Sequence, residues 1–518
     1  MAPLDIQELL RPCAYPHPVG EIKLRETHVS WVILTGSYTY KLKKPVKLEF
    51  LDMTSLARRR TLCDEEIRLN RRLAADLYLE VVTINRDSQG LRVAGAGTVV
   101  DYAVRMRQFE ASEELPALLA RRDVSCAEMA ALGERLAEFH ESAPHARRDI
   151  DFDYRSQLCQ SVLGNLATLI SHLPAGASVP ELGPLIDWTH DTLHDLLPLM
   201  TERQRSGFVR ECHGDLHAAN VVRWKGRLTP FDCLEFDPRL RFIDVMSDIA
   251  FLYMDLRSYQ RKDLAAQLLS SYLEATGDYA GVRALPFYGV YRALVRAMVD
   301  ALSAEQRPGE ARAFTDRLLA RLHTAMELSQ PSIPTLYLMH GASGSGKSWL
   351  SERLVPMLGA IRMRSDIERK RRSGSSIGGE RSGEGPDLYS PAMRQRTYRH
   401  LRDCAEALLG AGVNTIVDAS FLDLSDRQAF RSLATGLRVD CRIIACTAGR
   451  EEMVRRLQAR SPRDPSDADA AVLEHQLRRM APLAPDEELG VIRVDTTAFD
   501  WESRLRAQMA APRLRATS

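Results

Sequence analysis

Residues 335–348 read TLYLMHGASGSGKS. A short apolar run suited to a buried strand passes into a Gly/Ser-rich loop, and the apolar spacing Leu350, Leu354, Leu358 that follows is helical. Gly341, Gly346, Lys347 and Ser348 have the spacing G-x-x-x-x-G-K-S, with Gly344 between them. Each residue type has a reason to be there. Glycines let backbone N–H groups wrap phosphates, a lysine neutralises the β/γ oxygens, and a serine hydroxyl serves Mg²⁺. A chance Gly/Ser turn would not be flanked by both strand and helix, so this stretch predicts an ATP-type nucleotide loop at the edge of a parallel sheet.

The sequence around it agrees. From 335 onward, short apolar strands alternate with helices: AIRMRS at 360–365, a helix near 391–410, NTIVDAS at 414–420, a helix, VDCRIIACT at 439–447, a helix pair, and VIRVDT at 491–496. Such alternation predicts a parallel sheet covered on both faces. In that sheet the strand C-termini share one edge with the phosphate loop, which should gather Asp366 and Asp418 beside it. A carboxylate there can take a hydroxyl proton or hold metal. Arg456 and Arg460, at i and i+4 on a late helix, have the spacing to close over a transferring phosphate, although a solvated helix face reads the same way. The insert RRSGSSIGGERSGEGPD at 371–387 is Gly/Ser-rich and charged, and reads as a loop or lid.

A second signature lies upstream. His213-Gly-Asp215-Leu-His-Ala-Ala-Asn220 has the spacing H-x-D-x-x-x-x-N of a protein-kinase catalytic loop, and Phe231-Asp232 follows where a metal aspartate is expected. Asp215 would accept a substrate hydroxyl proton, while Asn220 and Asp232 would hold Mg²⁺ against ATP phosphates. That chemistry also needs a phosphate-pairing lysine on a strand and a glutamate on the next helix. Lys41 and Lys43 share a strand face, and Glu65 and Glu66 lie on a helix at about 54–74. Lys43 with Glu66 is the favoured pairing, with the neighbouring residues as alternatives.

Residues 28–50 predict two antiparallel strands around Thr35-Gly36-Ser37, and 79–85 and 98–107 a further strand pair. Helical periodicity dominates from 125 to 325, as in Met129, Leu132, Leu136 and Phe139. The stretch ELSQPSIP at 327–334 carries two prolines and no periodicity. The expected organisation is a kinase-like β-rich lobe at 1–107, a helical lobe with the catalytic loop at 108–326, a linker at 327–334, and a P-loop domain at 335–518. In fold-class terms the chain is α/β and multidomain: a bilobal α+β N-terminal half of protein-kinase type, then an α/β P-loop domain with a parallel sheet.

Composition limits the partners. Seventy Lys plus Arg oppose 69 Asp plus Glu among 518 residues, so no overall field draws the chain onto nucleic acid or anionic membrane. Only nine of the cations are lysines, and four of those fall within 41–47, which argues against a merely basic edge strand. Nine scattered cysteines with no C-x-x-C pair, no signal-peptide pattern and no membrane-length apolar run suggest a reducing, cytoplasmic setting.

The motifs resemble known families. GASGSGKS, RSDIERK at 364–370, IVDASF at 416–421 and RRLQARSPRDPSDADAAVLEHQ at 455–476 look like the small P-loop kinases that include polynucleotide kinase, gluconate kinase, chloramphenicol phosphotransferase and zeta toxin. That resemblance implies Asp366 as the base on a substrate hydroxyl and Arg456 and Arg460 as lid residues. Trp349 and the long insert before Tyr389 depart from the pattern. HGDLHAAN and FDCLEFDPRLRFIDVMSDIAFLYMDL at 231–256 look like the aminoglycoside phosphotransferase family, including its helix Asp248, with the Gly-rich nucleotide loop reduced to Thr35-Gly36-Ser37. The whole chain resembles bacterial fusions of such a domain with a P-loop ATPase or kinase domain. The resemblance implies a bifunctional, ATP- and Mg²⁺-dependent phosphotransferase acting on hydroxyl groups of small molecules, with no membrane partner. Three alternatives stand beside it: one nucleotide site gating the other, a nucleic-acid 5′-hydroxyl kinase drawing on the run Arg369-Lys370-Arg371-Arg372, and a toxin acting on a sugar nucleotide. Acceptor pockets are expected around 150–205 and in the insert. The acidic set Asp187, Asp191, Asp195 and Glu202 would suit a cationic acceptor, although a solvated helix face is the simpler reading.

Overall fold

The computed structural model describes residues 4–48, 51–146, 153–173, 182–373, 390–459 and 470–510. Strands β1 (Lys23–Glu26), β2 (Ser30–Leu34) and β3 (Tyr38–Lys43) are followed by helix α1 (Leu56–Ala74) and strands β4 (Tyr78–Asp87), β5 (Gly90–Val93) and β6 (Thr98–Arg107). They form one antiparallel sheet in the order β1-β2-β3-β6-β4-β5. Alternation along β3 sends Tyr40 and Leu42 into an apolar cluster with Ile33 and Ile84, and turns Thr39, Lys41 and Lys43 to the opposite side, into a cleft. Ser55 caps α1 through the Arg58 N–H. Helical spacing then buries Cys63, Glu66, Leu69 and Asn70 together. That spacing separates the two glutamates: Glu66 faces inward, while Glu65 lies outside and pairs with Arg68 and Arg241.

The helical lobe comprises α2 (Cys126–Ser142), α3 (Tyr154–Ser171), α4 (Leu182–Arg205), α5 (Val245–Ser258), α6 (Lys262–Thr276), α7 (Leu285–Gln306) and α8 (Ala311–Ser329). Between α4 and α5 the expected helical character gives way to four short strands, Val209–Glu211, Val221–Trp224, Arg227–Pro230 and Phe242–Asp244. Three or four residues are too few to show a period in the sequence, yet these strands are what present the loop at 213–220. Helix α8 runs into the proline-bearing stretch at 327–334, leaving only Gln330–Pro334 as connection.

The remaining elements are β7 (Thr335–His340), α9 (Lys347–Leu358), β8 (Ile361–Arg364), α10 (Ser365–Ser373), α11 (Pro391–Gly410), β9 (Thr415–Asp418), α12 (Leu424–Gly436), β10 (Asp440–Thr447), α13 (Arg450–Gln458), α14 (Ala470–Arg479), β11 (Val491–Asp495) and α15 (Trp501–Ala510). The five strands are parallel in the order β8-β9-β7-β10-β11. The chain leaves β7 toward one side and returns to its other side at β10, so the loop after β7 opens at the point where strand order reverses, the ligand position of such sheets. An α/β P-loop half joined to a bilobal α+β half is therefore the fold.

Strand β8 is an edge, and helix α6 of the helical lobe covers it. The Arg362 N–H donates to Ser270 Oγ at 3.1 Å, Glu274 pairs with Arg362 at 3.1 Å and Arg364 at 3.6 Å, and Arg371 donates to the Glu274 and Ala275 carbonyls. Covering an edge in this way removes the unpaired backbone groups on which another strand could add. Apolar packing is continuous across the junction, with Ala266 of α6 in one cluster with Leu350 and Leu354 of α9. None of the nine cysteines is in a disulfide, and no helix among the described residues is long and apolar enough to cross a membrane.

Candidate active sites

A cleft of 1120 Å³ separates the β-rich lobe from the helical lobe, and Lys41, Lys43, Asp215, Asn220, Asp232 and Glu235 all face it. Asn220 Nδ2 donates to Asp215 Oδ2 at 3.1 Å, which turns its amide oxygen away from Asp215 and leaves it for a cation. His217 Nε2 lies 3.4 Å from the same carboxylate. Burial alone would raise the Asp215 pKa, but His217, Arg296 and His213 hold it well below the usual carboxylate range. Asp232 sits at φ +64°, a left-handed conformation that costs a non-glycine residue of order 1–3 kcal/mol and is typical of sites where aim matters. Its N–H donates to the Tyr78 hydroxyl at 3.1 Å.

Both candidate lysines meet Glu66. Glu66 pairs with both Lys43 and Lys41, the latter at 2.9 Å. Lys43 is 1% exposed and clamped between Glu66 and Glu235. Lys41 is the lysine that also pairs with Asp232. Burial opposes its charge, yet Asp232 and Glu66 hold its pKa well above the ordinary lysine value. The Lys43–Glu66 pair is thus formed but buried beside Glu235, and Lys41 is the lysine that shares Glu66 and reaches Asp232. Two ammoniums face three carboxylates here, leaving surplus negative charge and hard oxygen donors, a set that fits Mg²⁺.

The catalytic-loop backbone is held from below. Asp248, fully buried in the first turn of α5, accepts the His213 N–H at 2.9 Å, the Gly214 N–H at 3.0 Å and His140 Nε2–H at 3.1 Å. His140, Cys212 and Asp248 lie within 4.8 Å of one another. They are a support and not a metal centre: the second His140 nitrogen takes the Tyr272 hydroxyl at 2.9 Å, and burial pushes the Cys212 thiol pKa up, away from thiolate. Although burial would raise it, His140 and His213 keep the Asp248 pKa lowered. Asp248→Ala strands two buried N–H groups, so its unfolding midpoint in urea should report a loss of about 3 kcal/mol. The stability linked to the lowered Asp248 pKa is present above the ordinary carboxylate value of about 4 and is lost as pH falls through the lower folded-state value.

Asp187, Asp191, Asp195 and Glu202 are exposed on α4, outside the cleft; helix α3 lines it instead. The short turn Thr35-Gly36-Ser37 is pinned by Gln108, whose Oε1 accepts the Thr35 and Gly36 N–H groups at 2.9 Å each. No motif signalled Gln108 or Glu235.

In the second site, Gly341, Gly344 and Gly346 all have positive φ. At Gly344 (φ +82°) a Cβ would stand 2.7 Å from the Met453 carbonyl oxygen, so α13 is seated against the loop as only glycine allows. Lys347 Nζ donates to the Ala342 carbonyl at 2.9 Å, and Ser348 follows it in the first turn of α9. Asp418 ends β9 in register with Arg364 and accepts from Ser351 Oγ at 2.9 Å. Asp366 lies two residues beyond Arg364 and pairs with Arg369. The two carboxylates thus stand at the C-terminal ends of neighbouring parallel strands. Arg456 donates to the Gly344 carbonyl at 3.3 Å and Thr496 Oγ1 at 2.8 Å, and pairs with Glu452. Arg460 and most of the insert at 371–387 lie outside the described residues. Gln476, which sequence spacing did not single out, accepts the loop's Ser343 N–H at 2.7 Å. Trp349 packs edge-on against Trp501 at 5.1 Å, which accounts for a large side chain where a small one is usual. In the run at 369–372, Arg369 is engaged with Asp366 and Arg371 with Glu368 and the α6 carbonyls.

The family model AAA_33, described as an AAA domain, matches residues 336–483. Among solved structures, a choline/ethanolamine kinase family protein from Mesorhizobium loti is 15% identical, covering 60% of this chain and 88% of its own, with a TM-score of 0.35. A gluconokinase from Sinorhizobium meliloti 1021 is 19% identical, covering 35% of this chain and 91% of its own, with a TM-score of 0.25. Scores this low add nothing to the geometry. The uncharacterized protein Rv2004c of Mycobacterium tuberculosis is 30% identical over 503 residues, 96% of this chain and 95% of that protein. Identity of that extent runs through both halves, and the chain belongs to the family of Rv2004c.

Proposed function

We propose that the protein is a bifunctional ATP-dependent phosphotransferase with two nucleotide sites, each moving the γ-phosphate of ATP to a hydroxyl group of a small molecule. The observation that carries the reading is the convergence of Asp215, Asn220, Asp232 and the Lys41–Glu66 pair on one cleft. In the N-terminal site Lys41, oriented by Glu66, pairs with the ATP phosphates. Asp215 accepts a hydrogen bond from the acceptor hydroxyl. As the new O–P bond forms and the bond from Pγ to the β-phosphate oxygen breaks, the hydroxyl proton passes to Asp215 and ADP leaves. A carboxylate held so strongly ionised takes the proton late, which suits the loose transition state of phosphoryl transfer. Asn220 and Asp232 would hold Mg²⁺, which supplies charge neutralisation on the phosphate oxygens.

In the C-terminal site the loop amides and Lys347 would cradle the phosphates, Ser348 and Asp418 would hold Mg²⁺, Asp366 would take the acceptor proton after releasing Arg369, and Arg456 and Arg460 would cover the transferring group. Calorimetric titration with Mg·AMP-PNP tests the two-site reading. Two molecules should bind per chain, with Asp232→Asn weakening one and Lys347→Ala the other. A single stoichiometric site untouched by Asp232→Asn contradicts it.

One observation favours a second reading, in which one site gates the other. The Asp248 that holds the N-terminal loop bonds His140, His140 bonds Tyr272 of α6, and two residues on Glu274 pairs with Arg362 and Arg364, next to Asp366. Under gating, Asp232→Asn would change turnover at the C-terminal site; under independent catalysis it would not. The basic run at 369–372 gives little to a nucleic-acid acceptor, since two of its arginines are engaged within the chain.

A further inference from the structure

Helix α7 carries Arg292 in the apolar run PFYGVYRALVRAMV at 286–299. Six arginines are buried among the described residues: Arg59, Arg203, Arg241, Arg292, Arg321 and Arg427. Five of them have a carboxylate partner, in Asp101, Asp244, Glu211, Asp255 and Glu487 respectively. Arg292, 7% exposed, has none within ion-pair distance among the described residues. Its Nε is buried without a hydrogen-bond partner, and its Nη1 reaches only the Gly214 carbonyl, at 3.5 Å. The Phe251 and Tyr291 rings lie 5.0 and 5.4 Å from the guanidinium carbon, a partial compensation. A buried cation left without an anion is costly, and such a site is built to be completed by one.

The position says which molecule brings it. Arg292 lines the same cleft as Asp215, and the carbonyl it touches belongs to Gly214, the residue before that carboxylate. Beside it, α3 packs against α7 and presents the neutral polar side chains Gln157, Ser161 and Asn165 to the same cleft. We infer that the acceptor of the N-terminal site is a hydroxylated small molecule bearing an anionic group, a phosphate monoester or a carboxylate, which Arg292 binds while the hydroxyl meets Asp215. This rests on the phosphotransfer reading of the cleft and narrows it: the acidic face of α4, which would have suited a cationic acceptor, lies elsewhere. Guanidinium matches either anion with paired N–H donors, so the shared chemistry is what the site selects.

The full chain, with both nucleotide sites saturated by Mg·AMP-PNP, is titrated with inorganic phosphate, acetate and choline. One phosphate or acetate should bind per chain and choline should not. Arg292→Gln should weaken anion binding about ten-fold or more, on the scale of a charge-assisted hydrogen bond, while Arg292→Lys retains part of it. A purely structural arginine would destabilise the fold when lost; here Arg292→Met should melt, free of ligand, at or above the wild-type temperature, because an unpaired buried charge is gone. Normal nucleotide binding with anion binding unchanged in Arg292→Gln overturns the acceptor assignment alone, as does choline binding in preference to anions. If Arg292→Gln weakens AMP-PNP instead, the arginine serves the nucleotide and the assignment also falls. A chain whose AMP-PNP binding ignores Asp232→Asn overturns the phosphotransfer reading and the acceptor assignment together.

Discussion

Asp215→Asn should slow phosphate transfer at the N-terminal site by about 10²–10⁴-fold, the scale of a lost positioned base, and leave Mg·ATP binding intact. The amide keeps the shape and the contact with Asn220, but it cannot take the hydroxyl proton. Asp232→Asn should fail differently. It removes the proposed metal ligand and the carboxylate that Lys41 pairs with, so it should weaken binding of ATP with Mg²⁺ far more than binding of ATP alone. Titration with and without Mg²⁺, beside single-turnover transfer, separates the two phenotypes. Equal loss of Mg·ATP binding in both variants contradicts the assignment of roles. The pH profile adds a check: because His217, Arg296 and His213 keep Asp215 ionised, its protonation should produce no acid limb until the pH is well below the ordinary carboxylate value of about 4.

Lys347→Ala should reduce turnover at the C-terminal site by at least about 10²–10³-fold, as expected when a preorganised charge on the transferring phosphate is removed. In the wild type the ammonium reaches back over the loop to the Ala342 carbonyl, in position to swing onto phosphate. Turnover is best read in an Asp215→Asn background, where the N-terminal site contributes little. Undiminished ATP consumption in the Lys347→Ala, Asp215→Asn double variant would rule out the loop as the catalytic nucleotide site.

Much of this arrangement is legible from residue order. The spacing of His213, Asp215, Asn220 and Asp232 encodes a loop whose backbone brings those side chains together, and strand–loop–helix at 335–358 carries the parallel sheet with it. What the sequence leaves open is settled by burial, which no spacing records. Lys41 and Lys43 share a strand face, and only packing separates them: Lys43 is closed between Glu66 and Glu235, while Lys41 reaches Asp232. Glu65 and Glu66 are told apart by the turn of α1 over the sheet. The four short strands at 209–244 escape periodicity because each is shorter than a detectable repeat. Arg292 left one trace, a cation beside Arg296 within an otherwise apolar helix run, but its meaning depends on there being no carboxylate within ion-pair distance among the described residues. Gln476 reaches the phosphate loop from α14, 133 residues away, a contact that depends wholly on tertiary structure.

The claim that two phosphotransfer sites share one chain is tested most directly with γ-labelled ATP and a small-metabolite extract. Wild type, Asp215→Asn and Asp366→Asn are compared for labelled products. The account predicts two chemically distinct labelled products, one lost with each variant and the other retained. A single product lost in both variants, or label released only as inorganic phosphate in all three, would contradict it.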